Sequence, residues 1–217
     1  MRSTGSTAIR RTRIWSQSKS RDKEIETAME LTEIRNKIDA LDEEIKALLL
    51  QRLVCSKEVA EAKASEGETK IYRADREEAI LERLGNDVPE AVRREYLAIV
   101  RKIMETSRMY QYGLLYDWNP AQYDGLFVNV PYEFPSRKVK LLLTRPNRPN
   151  AMSSILSMVG DYGYNMEKME LLSYTEDRQE VRFLLTVRGD LSERHMQKLM
   201  VQLAGESRDF CIMEVLR

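Results

Sequence analysis

Two cations occupy positions where an apolar stripe should continue. Apolar side chains recur at Leu31, Ile34, Ile38, Leu41, Ile45 and Leu48 in alternating steps of three and four, the seam of a heptad-patterned helix. The next seam position is Arg52, and Ser56 and Val59 follow on that face. Lys63 lies eleven residues beyond Arg52. At about 100° per residue it returns to within about 20° of the same direction, about 16 Å further along the axis. A guanidinium on a buried stripe costs free energy unless it is partnered, and two long cationic side chains leaning together can grip one small anion. Further along, Val100 and Ile103 give way to Ser107 and Gln111, neutral hydrogen-bonding groups one turn apart. Between these segments, Glu77 precedes Ile80, Leu81 and Leu84 at helical spacing, with Arg76 beside it. Arg52, Lys63, Arg76, Glu77, Ser107 and Gln111 are therefore expected to line one polar pocket inside a helical bundle. The spacing specifies an anion site and no particular reaction. The competing reading is a solvated flank along which Arg and Lys stems snorkel, on a helix that serves only for dimerisation.

Arg35 stands apart. It lies about 25 Å from Arg52 on the same rod and about 100° round from it. Either it is a solvated surface residue, or it serves a second pocket made with another copy of the chain.

The elements that must position these groups follow from periodicity. The first helix starts near Thr32 and stops near Gly67, about 35 residues or roughly 50 Å, against about 30 Å for a compact domain. Such a helix is expected to overhang its own domain and pack against a partner, which points to an intertwined homodimer. A second helix is expected over Arg73–Leu84. A third is capped by Asp87, opened by Pro89 and runs to about Tyr116, with an apolar face of Val92, Tyr96, Ile99, Val100, Ile103 and Met104. Trp118–Pro135 holds three prolines and a glycine and reads as a linker. Beyond it the expected order is strand (Lys138–Thr144), turn (Arg145–Asn150), helix (Ala151–Tyr162), hairpin (Asn165–Thr175 with Glu180–Arg188), helix (Ser192–Ala204) and strand (Phe210–Leu216). That βαββαβ order is ferredoxin-like. The expected organisation is a tail over 1–28, a three-helix all-α domain over 29–116, a linker over 117–136 and an α+β domain over 137–217.

Composition narrows the function classes. The 217 residues carry a formal net charge of zero, so nothing calls for nucleic acid or an acidic membrane surface. Two cysteines, Cys55 and Cys211, form no disulfide framework and fit a reducing, cytoplasmic compartment. Cys55 is expected as a small core residue, and His195 has no partner residues in view. No apolar run approaches a membrane span. Met1–Arg21 is rich in Ser, Thr and Arg and poor in acids. It reads as a disordered tail, a start preceding a true first residue at Met29, or an organelle transit peptide.

The runs Ile34–Asp42, Leu49–Arg52, Glu61–Lys63, Arg76–Glu78 and Ile103–Gln111 resemble the AroQ-type, all-helical chorismate mutases. That resemblance implies conversion of chorismate to prephenate, with no cofactor and no metal. It implies that Arg52 and the partner subunit's Arg35 bind the substrate carboxylates, and that Lys63 and Gln111 hydrogen-bond the ether oxygen of the breaking bond. Glu77 would hold the ring hydroxyl, and Ser107 and Arg76 would support the carboxylate site. Arg73 stands where family members often carry an acid: a substrate contact through the backbone would be kept, whereas one through the carboxylate would be lost and recognition of the hydroxyl weakened. Residues 137–217 are similar to ACT domains, especially those of prephenate dehydratases, through Arg145-Pro-Asn-Arg-Pro149. This second resemblance implies an amino-acid effector near Asn147, Asn150, Ala151 and Met152. Asn150 replaces a usual glycine and Glu170-Leu-Leu-Ser173 replaces the Glu-Ser-Arg-Pro signature, so a purely structural or dimerising domain is the alternative. The competing function for the whole chain is a non-catalytic regulatory or partner-activating dimer.

Overall fold

The computed structural model describes the backbone of residues 6–128, 130 and 135–217, with side chains from residue 30 onward. The tail expectation for 1–28 therefore falls outside the residues whose side chains are described. The chain divides into two units, Met1–Arg52 and Leu53–Arg217.

The first unit belongs to one helix, α1 (Ser6–Ser65), which starts ahead of the Thr32 cap expected from sequence. Its heptad seam lies open: Ile38, Leu41, Ile45 and Leu48 are 49%, 55%, 51% and 64% exposed. Periodicity predicts a buried stripe here, and these side chains stand about half exposed instead.

The second unit opens with the end of α1, where Ser56 and Ala60 are buried. Gly67 adopts φ +71°, the Gly67 amide donates to the Ala64 carbonyl and the Glu68 amide to the Lys63 carbonyl. This is the glycine-terminated Schellman arrangement expected of that stop signal. Cys55, expected in a core, is exposed, because this stretch of α1 turns a different face inward. Helix α2 covers Ala74–Gly85 and α3 covers Glu90–Trp118. Pro89 rather than Asp87 stands at the N-cap of α3, and no side chain caps it. The buried stripe of α3 runs through Val100, Met104, Ser107, Arg108, Gln111, Tyr112 and Leu115. Val92 and Ile99, assigned to that face from sequence, are exposed. The expected linker begins with a 3₁₀ helix, Pro120–Leu126, whose Tyr123 is buried against Tyr116.

The remainder forms β1 (Lys138–Pro146), α4 (Ala151–Asp161), β2 (Asn165–Tyr174), β3 (Glu180–Arg188), α5 (Arg194–Gly205) and β4 (Arg208–Leu216). The strands make one antiparallel sheet in the order β2-β3-β1-β4, an α+β, ferredoxin-like arrangement. Alternation does the sorting. Val139, Leu141 and Leu143 of β1 and Val181, Phe183, Leu185 and Val187 of β3 pack with Ile155, Met158 and Val159 of α4 and Met196, Leu199, Met200 and Leu203 of α5. Gly189 has φ +153°, and a Cβ there would crowd Met196 and lie 2.9 Å from the Tyr164 ring. Gly189→Ala is therefore expected to destabilise the fold by about 1–3 kcal/mol, read from the midpoint of urea unfolding.

Within this unit the sheet domain packs directly on α3. Tyr112, Leu115, Tyr116, Tyr123 and Ile71 share an apolar cluster with Val201 of α5. The Tyr116 hydroxyl donates to Gln197 at 2.5 Å, Lys198 and Arg194 both reach Asp117 at 2.7 Å, and Lys102 reaches Asp161 at 2.6 Å. The helices and the sheet domain are thus one packed body between 53 and 217, with Tyr123 of the expected linker inside its packing.

Candidate functional site

The candidate residues fall on α1, α2 and α3. Arg35 and Arg52 lie in the first unit, both exposed. In the second unit, the Lys63 side chain is only 17% exposed. Its ammonium donates to the Lys70 carbonyl at 2.6 Å and stands 3.3 Å from Glu68. The Schellman turn produces this, because it folds residues 68–70 back over the end of α1. The ammonium is thereby oriented and partly shielded from solvent, and a charge fixed in advance is effective because it needs no reorganisation.

On α3, Ser107 and Gln111 are buried. The Ser107 hydroxyl donates to the Ile103 carbonyl at 2.9 Å. At the start of α2, Arg73 occupies the N-cap with extended backbone. Its guanidinium holds Asp75 through two bonds of 3.2 and 2.9 Å. That pair lies in solvent, where it adds little stability. Arg76 is exposed.

Glu77 turns the other way. Its carboxylate accepts a hydrogen bond from Arg108, and Arg108 in turn grips Glu206 through bonds of 2.8 and 3.3 Å. Arg108 and Glu206 are both buried. The Arg145 guanidinium donates to the Glu206 carbonyl oxygen and, at 2.9 Å, to the Ser154 hydroxyl. Gln202 donates to the Glu206 carboxylate at 2.9 Å. Tyr72 lies under Arg108, with the guanidinium carbon 4.9 Å from the ring centroid, and its hydroxyl accepts from Arg148. A cavity of about 310 Å³ borders this group and is lined by Glu77, Glu105, Arg101, Arg108, Arg145 and Arg148 among others.

Burial shifts these groups in the directions expected. Burial raises the Glu77 carboxyl, partly opposed by Arg108, and the Glu206 charge adds to the rise. Burial likewise raises Glu105. Burial pulls Arg108 down, but Glu206 and Glu77 more than offset it, so its pKa ends above the ordinary value. Arg145 is lowered, because burial outweighs Glu206. For Glu77 the consequence is directional. The folded state keeps a proton that the unfolded chain has released, so this contribution to stability is full below the usual carboxylate pKa and lost as pH rises through the elevated one. Thermal unfolding of Glu77→Gln is expected to show a flatter pH dependence than wild type across that window.

The four residues assigned to an effector lie together. Asn147, Asn150, Ala151 and Met152 line an open cleft of about 420 Å³, whose floor includes Leu156, Leu171, Tyr174, Val181 and Phe183. Asn150 takes φ +70° at the N-cap of α4, a left-handed conformation that asparagine tolerates better than most residues.

Arg108, Arg145, Arg148, Tyr72 and Glu206 were not assigned to this site from sequence, although Arg145 and Arg148 belong to the turn motif before α4. A signal existed for Arg108: with Met104, Tyr112 and Leu115 it completes an i, i+4, i+8, i+11 stripe, an arginine where an apolar residue was due. No sequence signal pairs it with Glu206, which lies 98 positions away. Among the described residues no group of three or more His, Cys, Asp or Glu is placed to hold a metal, and no helix is long and apolar enough to cross a membrane.

In the second unit, α2 and α3 are joined to an α+β, ferredoxin-like domain. Residues 34–112 match the family model described as chorismate mutase type II. No curated protein matches the chain. Among solved structures it is similar to one titled as GqqA, a novel type of quorum quenching acylases, at 23% identity over 41% of this chain and 45% of that one, with a TM-score of 0.37. It is also similar to prephenate dehydratase in complex with L-Phe from Arthrobacter aurescens, at 16% identity over 41% of this chain and 29% of that one, with a TM-score of 0.36. The chain thus spans less than half the length of either.

Proposed function

We propose that the protein is a homodimeric chorismate mutase that rearranges chorismate to prephenate, with the sheet domain as a place for an amino-acid effector. The observation that carries this reading is the family match over 34–112, which encloses Arg35, Arg52, Lys63, Arg73, Arg76, Glu77, Ser107 and Gln111, with the Lys63 ammonium held in one orientation.

The substrate is a dianion and the reaction is a one-step Claisen rearrangement, needing no nucleophile, metal or redox cofactor. The protein must hold the enolpyruvyl side chain over the ring and stabilise negative charge growing on the ether oxygen. Arg52, with the partner subunit's Arg35, takes the carboxylates. Lys63 and the Gln111 amide meet the ether oxygen, and Glu77 meets the ring hydroxyl. Ser107, Arg76 and the Arg73 backbone support the ends of the substrate. The open seam of α1 supports the dimer, since four large aliphatic side chains about half exposed in one row form an apolar face that a partner helix covers in a heptad packing. The cleft holding Asn147, Asn150, Ala151 and Met152 supports an effector at the sheet domain.

A second reading rests on the same lysine. Lys63 already has a carboxylate 3.3 Å away in Glu68, and a chain in which that pair never opens would be a regulatory dimer without turnover. One assay separates the two: loss of chorismate absorbance with purified protein, repeated with phenylalanine or tyrosine present. Turnover is expected, and its absence in well-folded dimer favours the regulatory reading.

The neutral Gln111 amide needs no protonation, so kcat is expected to stay flat from about pH 6 to 8, a range over which an unshifted carboxyl in its place would remain ionised. A steep loss over that range in a pH-rate profile counts against its role.

A further inference from the structure

We infer that Glu206, in the sheet domain, is a positioning residue for Glu77 and acts through Arg108. This rests on the mutase reading above, in which Glu77 meets the substrate's ring hydroxyl.

Glu77 has one short charged contact, to Arg108. Left on α3 alone, an arginine has a flexible stem and no reason to hold that direction. Glu206 supplies the reason. Its carboxylate takes Arg108 at both Nε and Nη2, an arrangement that fixes the plane of the guanidinium as well as its place. The Glu206 side chain is fully buried and is itself held by Gln202 at 2.9 Å. Arg145, 3.9 Å from the carboxylate and bonded to the Glu206 carbonyl oxygen, fixes the backbone there. Tyr72 supports the lower face of Arg108. The chain of contacts therefore runs from the end of α5, through α3, to α2. The sheet domain thereby takes part in shaping the helical site, independently of any effector.

Charge agrees with this role. Two carboxylates share one arginine, and Glu77 is the more exposed of the two, at 23% against 0% for Glu206. Glu206 is the fixed anchor, and Glu77 is the end left to meet a ligand. A group that acts only through another has nothing to position once that other is gone, which gives a discriminating test.

Chorismate kinetics and urea unfolding are measured on the full chain for wild type, Glu206→Gln, Glu77→Gln and the double variant. Glu206→Gln is expected to lower kcat/KM by about 10–100-fold, the order produced by a 1 Å misplacement of a contact group, mostly through KM. The double variant is expected to be no slower than Glu77→Gln alone, and the two substitutions are expected to be non-additive in stability. Lys102→Ala, which removes a different contact between α3 and the sheet domain, is expected to leave kcat/KM unchanged. If Glu206→Gln does not fold, Glu206→Asp, which keeps the charge but shortens the reach, carries the same cycle. Additive losses in rate, with wild type active, overturn the inference and leave the mutase reading standing. A wild type inert toward chorismate, with non-additive stability, overturns the mutase reading and leaves the Glu77–Arg108–Glu206 linkage standing.

Discussion

Lys63→Ala is expected to lower kcat on chorismate by about 10²–10³-fold, the usual loss when one donor to a developing oxyanion is removed. The reason lies in the rearrangement. Charge on the ether oxygen is greater in the transition state than in chorismate, so a cation held there lowers the barrier more than it strengthens substrate binding. The structure holds this ammonium in place before substrate arrives, through the Lys70 carbonyl at 2.6 Å. KM is therefore expected to change much less than kcat. Stability is expected to fall by only about 1 kcal/mol, the net worth of one hydrogen bond in an accessible site. Lys63→Arg keeps the charge but replaces a compact ammonium with a planar fork, and an intermediate rate is expected. The measurement is single-substrate kinetics beside urea unfolding. Equal loss of activity and of folded protein would show that Lys63 is only a structural tie.

The second large effect concerns the dimer. Arg35→Ala and Lys63→Ala are each expected to be nearly inactive alone, yet a mixture co-folded from denaturant should recover about a quarter of wild-type activity. This follows from two-fold symmetry, since half of the dimers are mixed and each of those has one site carrying both defects and one carrying neither. Ile45→Lys in the α1 seam is expected to remove the recovery and shift the protein toward monomer, because it places a charge within the apolar face proposed to cover its partner. Size-exclusion chromatography with light scattering reads the second effect, and the chorismate assay reads the first. A mixture no more active than its components would show that Arg35 and Lys63 do not serve a shared site, and a fully active monomer would remove the dimer from the mechanism.

Both results depend on residues that periodicity had marked. Arg52, Lys63, Ser107 and Gln111 stood out because each breaks an apolar repeat, and a repeat is a local property that the sequence displays directly. The element order of the second half was equally legible. Period-two alternation in β1 and β3 and period-3.6 runs in α4 and α5 carry their own register, and Gly67 announced the end of α1. The misreadings share a cause. Val92 and Ile99 were assigned to a buried face, but α3 turns toward α2 and α5 a stripe rotated from them. Cys55 was placed in a core for the same reason. Apolar content says that a face must be covered, while the direction from which cover arrives depends on elements far away in the chain.

What the sequence determined by itself was the set of helices and strands, the positions where charge interrupts an apolar stripe, and the resemblance of 34–112 to a family of helical mutases, because each is written in short spacings or in runs of adjacent residues. Only the tertiary structure decided which partners those charges take. Lys63 meets Lys70 because a glycine turn folds the chain back on itself. Arg108 meets both Glu77 and Glu206 because α2 and α5 pack against α3. A long-range ion pair has no period and no signature in composition; it exists only once two apolar faces have met and left their charged edges together.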